Sequence, residues 1–137
     1  MEINVTQEKG KVPVCVVHIK GELDALSYPE LVNTAQMLYS TGVRSLLLDL
    51  TDLAYISSAG IASIHIVTKM FRGEKANPED VWDTFKEIDR DHESSLQKHV
   101  KLFNPSPEVD NVLDILGFKQ FFEIYTDLEE AISSFSP

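Results

Sequence analysis

The stretch Leu46–Phe71, LLLDLTDLAYISSAGIASIHIVTKMF, decides the fold. It opens on the apolar run Leu46-Leu47-Leu48-Asp49-Leu50, too short for a globular helix and continuous enough for a strand buried on both faces. The polar turn Thr51-Asp52 follows, and then Ile56-Ser57-Ser58-Ala59-Gly60 leads into a helical pattern through Ile61, Ile64, Val67 and Phe71. The unit reads as strand, loop, helix, with a serine at the start of the helix.

Ser58 is read as the N-cap of that helix, where Ser is favoured and the first turn offers unpaired backbone N–H groups with positive dipole character. A phosphate attached there would meet those amides and would add about −1.5 to −2 charge at pH 7, near Asp52 and Asp49. The same residue also reads as a plain helix cap without further role. At 100° per residue Gly60, Ile64, Val67 and Phe71 form a core stripe, and His65 and Lys69 a polar one. Ala59, Ala62, Ser63, Ile66 and Met70 form a third, mildly apolar face beginning beside Ser58. Two readings of that face stand: an exposed docking surface, or a face covered by the chain's own insert or by a second copy.

Working outward, Glu2–Gln7 and Val12–Ile19 read as a hairpin around Lys9-Gly10-Lys11, with Pro13 at a strand start or an edge. Lys20-Gly21-Glu22-Leu23-Asp24 reads as a strand end and a loop. Tyr28–Ser40 carries Leu31, Ala35, Leu38 and Tyr39 at helical spacing, with Ser27 as cap and Pro29 in the first turn. Val43–Leu50 then returns as a strand, so a βαβ unit on a shared sheet follows. The segment 73–99 is charged and is read as a helical insert before the fourth strand: Asn77-Pro78-Glu79-Asp80 starts a helix carrying Val81, Trp82, Phe85, Ile88 and Leu96. His99–Phe103 is expected to be that strand. Ser106–Leu116 reads as a helix stopped by Gly117, Phe121–Tyr125 as a final strand, and Thr126 or Asp127 as the cap of a last helix with Leu128, Ala131, Ile132 and Phe135. The expected fold is therefore α/β, a mixed β-sheet with packed α-helices in a single domain over residues 1–137.

A formal charge of −10 and the lack of a Lys/Arg cluster argue against direct nucleic-acid binding and favour a basic partner. No apolar run reaches the ~18 residues of a membrane span, and Met1-Glu2-Ile3-Asn4 lacks a signal-peptide pattern, so a cytoplasmic protein without membrane attachment is expected. Cys15, the single cysteine, lies in an apolar run and reads as a buried thiol. The phosphate-loop, dinucleotide and hydrolase-elbow glycine motifs are missing. His18, His65, His92 and His99 are scattered, so neither a Ser-His enzyme nor a metal site is indicated, and no cofactor is expected.

The order of elements, with Gly21-Glu22-Leu23-Asp24 after the second strand, the run Leu48–Ile61, and Leu116-Gly117-Phe118 late in the chain, resembles a STAS domain and, more narrowly, the anti-sigma factor antagonists. The resemblance covers nearly the whole chain outside 73–99. It implies a regulatory binding protein and not an enzyme: an anti-sigma factor with serine kinase activity would bind it and phosphorylate it, a serine phosphatase would reverse this, and sigma-factor-dependent transcription would follow the state. Alignment on Gly60 places the phosphoacceptor at Ser58, with Ser57 the alternative. The preceding residue is commonly Asp in the family and is Ser57 here, which removes a negative charge and leaves two adjacent hydroxyls. Asp24, Asp52, Ser57, Ala59, Ala62, Ile66 and Met70 are the implied partner-binding residues. Three roles are open to the insert: selecting a partner, pairing two copies as a homodimer, or covering the third face of the preceding helix. The competing assignment is an unphosphorylated STAS scaffold, or a cytoplasmic subunit of a stressosome-like or lipid-transport assembly.

Overall fold

The computed structural model describes residues 1–74 and 97–137. The expected helix at 77–96, with Trp82 and Phe85, lies outside them. Two strands, β1 (Glu2–Lys9) and β2 (Pro13–Leu23), form the hairpin, antiparallel from Glu2 opposite Lys20 to Lys9 opposite Pro13. Pro13 thus opens its strand, where its missing N–H costs no interior ladder bond. The helix α1 (Tyr28–Ser40) leads to β3 (Leu46–Asp49), which pairs parallel with Cys15–His18 of β2.

The next element departs from expectation. Leu53–Ile56 is a strand, β4, where a loop was read, and it pairs parallel with Gly21–Leu23. β2 therefore runs on to Leu23 instead of ending near Lys20, and serves β3 with its first half and β4 with its second. The partner changes between His18 and Gly21, and the new pairing shifts register between Gly21 and Glu22, passing over Ala54. Gly21 has φ +101°, a conformation that side chains disfavour, and its N–H donates to Asp52 O at 3.1 Å. A strand of four residues without alternation carries little periodic signal, which is why the sequence hides it. The strand after the insert is consequently the fifth.

The helix α2 (Ser58–Phe71) follows β4; β5 (Val100–Phe103) pairs parallel with β3, and β6 (Ile124–Tyr125) parallel with β5. Between β5 and β6 lies α3 (Pro107–Ile115), capped by Ser106, whose hydroxyl accepts from Val109 N and donates to Leu53 O. The expected strand Phe121–Tyr125 shrinks to two residues, because Gly117 at φ +70° turns Phe118–Phe121 into a 3-10 helix. That turn buries Phe118, Phe121 and Phe122 together, the Phe118 and Phe122 rings 4.9 Å apart. The last helix, α4 (Leu128–Ser133), is capped by Asp127, which accepts from Glu130 N.

The sheet order is β1-β2-β3-β5-β6, with β4 beside β2. Its inner strands β2, β3 and β5 are buried on both faces, as the apolar run predicted, while β1 at the edge is largely exposed. Cys15, Val17, Ile19, Leu46, Leu48, Val100 and Leu102 face α1, α2 and α3. Val14, Val16 and Leu47 face Ala131, Ile132 and Phe135 at the C-terminal helix. This is the mixed-sheet α/β fold expected.

Candidate functional site

Parallel strands bring their C-terminal ends, and the loops after them, to one side of a sheet. Here the end of β2 and the start of α2 are joined directly. Ser57 N donates to Leu23 O at 2.9 Å, and Gly60 of α2 packs so close that an added Cβ would lie 2.4 Å from Leu23 O. Only a glycine admits that approach of helix to strand.

The N-cap is Ser57, not Ser58. Ser57 has extended backbone angles, its Oγ accepts from Gly60 N at 3.2 Å, and its carbonyl takes the first helical bond, from Ile61 N at 3.0 Å. Ser58 is the first helical residue and is exposed, while Ser57 is half-buried. The local pattern Ser-Ser-Ala-Gly fits either serine as a cap, and the contact of Ser57 with the end of β2 decides between them.

Asp24 is brought beside this site, since it follows Leu23. Its carboxylate turns back into its own loop, accepting from Leu26 N (3.0 Å) and Ser27 N (3.1 Å), with Ser27 Oγ 3.1 Å away. Those backbone bonds from Ser27 and Leu26 hold its pKa below the ordinary carboxylate value. Ser27, expected as the cap of α1, makes no side-chain cap bond; its hydroxyl donates to Glu22 O at 2.8 Å and stiffens the same loop. At the tip of this loop stands Leu26, 92% exposed, and Tyr55 of β4 is 50% exposed beside Glu22. Neither drew attention in the sequence, because an isolated apolar residue in a loop reads alike whether buried or presented to solvent.

Other expected site residues lie elsewhere. Asp52 is exposed but precedes β4, so the whole four-residue strand separates it from Ser57, roughly 13–16 Å of extended chain. Asp49 faces the α4 side of the sheet, its Oδ2 at 2.6 Å from His18 Nδ1; His18 Nε2 is 2.9 Å from Thr6 Oγ1. Ala62 and Ile66 are buried, packed with Val32 of α1 and rimmed by Tyr28, Ala59 and Met70. The third face of α2 is thus in large part the α1–α2 interface, and only its edges, Ala59 and Met70, stay half-exposed. The expected polar stripe is also drawn inward: His65 is buried and Lys69 half-buried. Ser63 and Thr68 are buried with their hydroxyls donating to Gly60 O and His65 O of the same helix.

Among the described residues no group of three or more His, Cys, Asp and Glu side chains is placed to hold a metal ion, and no histidine bonds Ser57 or Ser58. No helix among them is long and apolar enough to cross a membrane. Two clefts, of about 900 and 470 Å³, lie at the other end of the strands, around Val12–Cys15, Thr41–Ser45 and Gln97–Lys101. Neither includes a serine of α2. At the serine end of α2, Ser58, Leu26 and Tyr55 are all exposed.

Known structures share this architecture. An anti-sigma factor antagonist from Mycobacterium paratuberculosis superposes with a TM-score of 0.66 at 16% identity, over 97% of this chain and 93% of that one. The anti-sigma factor antagonist SpoIIAA in its unphosphorylated form gives 0.57 at 17% identity, over 96% and 93%. The Bacillus cell fate determinant SpoIIAA in its phosphorylated form gives 0.54 at 15%, over 96% of each chain. At such identities the likeness is one of fold. A comparison with curated protein sequences returned no match. The family model of the STAS domain matches residues 3–77, more than half of the chain, and takes in the hairpin, α1, the β3–β4 turn and all of α2; the chain belongs to the STAS domain family.

Proposed function

We propose that this protein is an anti-sigma factor antagonist, whose α2 end binds an anti-sigma factor with serine kinase activity and is switched off by phosphorylation of Ser58. The observation that carries the reading is the division of labour between two serines. Ser57 spends its hydroxyl oxygen on the cap, while Ser58 sits in the first turn, exposed to an incoming kinase. The partner supplies ATP and the chemistry; this chain supplies an acceptor and a docking surface. Leu26, Tyr55 and Ala59 offer apolar contact at the acceptor's end of α2, with Met70 about 18 Å further along the helix, and the loop carrying Leu26 is already ordered by Asp24 and Ser27, so little freedom is lost on binding. Ala62 and Ile66 act one layer below, shaping that surface through α1. Phosphate at Ser58 opposes the complex by placing about −1.5 to −2 charge in a desolvating interface. A serine phosphatase restores the binding form, and sigma-factor-dependent transcription follows.

The test is intact-mass and fragment-ion spectrometry after incubation with ATP and the candidate kinase, for the parent chain and for Ser57→Ala and Ser58→Ala. One phosphate, lost only in Ser58→Ala and weakening the complex, is the expected result. Lack of phosphate across every such kinase of the source organism would transfer the protein to the unphosphorylated STAS scaffolds.

A further inference from the structure

β1 closes one edge of the sheet, and we infer that it pairs antiparallel with β1 of a second copy, making one sheet continuous across a twofold axis. Eight residues run there without proline or bulge, in unbroken register with β2, and seven of them are exposed. Among the described residues no strand takes the outer side of β1, so its outward N–H and C=O groups form an open template.

Charge favours a second copy at this edge despite a formal net charge of −10. The hairpin balances Lys9, Lys11 and Lys20 against Glu2, Glu8 and Glu22, so the acidic excess lies elsewhere and repulsion between copies is weakest here. The middle of the strand, Asn4-Val5-Thr6-Gln7, is uncharged. Val5, 38% exposed at the margin of the core, gains cover from a neighbouring strand.

Symmetry then restricts the register. A twofold axis perpendicular to the sheet keeps each face with its like, so residues opposite one another share parity. Centring on Val5 would set Glu2 against Glu8 of the mate, two carboxylates directly opposed. Centring on Thr6 sets Thr6 against Thr6, Val5 against Gln7 and Asn4 against Glu8, with no like-charge pair. The Thr6-centred register is the one inferred.

Light-scattering mass of the full chain at about 100 µM should give twice the 15.4 kDa protomer. Opposed residues of an antiparallel pair have Cα atoms about 4.5–5.5 Å apart, within disulfide reach. Oxidised Thr6→Cys should therefore run as a covalent dimer and Val5→Cys should not; buried Cys15 leaves the assay silent in the parent. Val5→Lys should weaken the dimer at least tenfold with an unchanged circular-dichroism spectrum. A monomer mass for the parent, or a dimer that neither cysteine traps, overturns the interface, and trapping by Val5→Cys instead of Thr6→Cys overturns the register.

Discussion

Ser57 and Ser58 are chemically identical and one residue apart, yet the backbone gives them different work. Replacing Ser57 with Ala removes the acceptor for Gly60 N and should cost about 1 kcal/mol in urea unfolding while leaving Ser58 available to a kinase. Ser58→Ala removes no cap and should stay within about 0.5 kcal/mol of the parent. An equal loss for both would place the cap elsewhere. Gly60 is held more strictly. A methyl group there meets Leu23 O at 2.4 Å, Ile56 Cγ1 at 2.9 Å and Leu23 Cγ at 3.0 Å, so backbone and not a pliable side chain must yield. Gly60→Ala should destabilise by about 3 kcal/mol, against the gain in helix propensity that the same change gives at an open position. A stability equal to the parent would mean that α2 slides away from β2 at little cost.

The elements differ in how openly the sequence declares them. α1 and the core stripe of α2 are legible because their apolar residues recur at helical spacing over three or more turns. β4 is not, since its pairing is with Gly21–Leu23 some thirty residues earlier, a long-range event with no local trace. The third face of α2 misled for a related reason: small and apolar residues look the same whether they meet solvent or another helix, and Val32 of α1 settles the matter for Ala62 and Ile66. The local pattern sets the serine cap one residue late, because the capping bond depends on the neighbouring strand's geometry. α4 shows a further long-range tie. Lys101 of β5, buried, donates to Ser134 O at 3.1 Å and Ser134 Oγ at 3.0 Å and pairs with Glu123 at 2.7 Å, clamping the C-terminal end of the helix. The hydrogen bond from Lys101 holds the Glu123 pKa below its ordinary value, against the opposing effect of burial and with help from Tyr125 OH. A carboxyl with a lowered folded pKa stabilises above the unfolded value and loses that contribution as pH falls through the folded one. Glu123→Gln should therefore lower stability at pH 7, by about 1–2 kcal/mol once the exposure of Glu123 is allowed for, and the gap to the parent should close in acid below about pH 4. A gap that persists unchanged into acid would assign the loss to packing.

At the scale of the whole molecule, the proposed phosphorylation of Ser58 would act either on the surface or through the fold. α2 is buried along Gly60–Thr68 and fastened to β2 by Ser57 and Gly60, so its first turn has no second position to adopt without breaking those contacts. A phosphate on Ser58 meets the first-turn amides and the positive end of the helix dipole, an interaction of about 0.3–1 kcal/mol for an exposed anion. Repulsion from the nearby Asp24 offsets part of it, across water and screened by salt. The modified protein alone should therefore melt at the same temperature as the unmodified one or about 1–3 °C higher. Its affinity for the kinase should fall at least tenfold, because in the complex the phosphate must leave water at an interface built around a neutral hydroxyl. Calorimetric melting of the two forms, beside titration of each into the partner, separates the alternatives. Unchanged or raised melting with weakened binding fits a surface switch. Melting lowered by more than about 3 °C would mean that the phosphate loosens α2 from β2, and the switch would then work by conformational change.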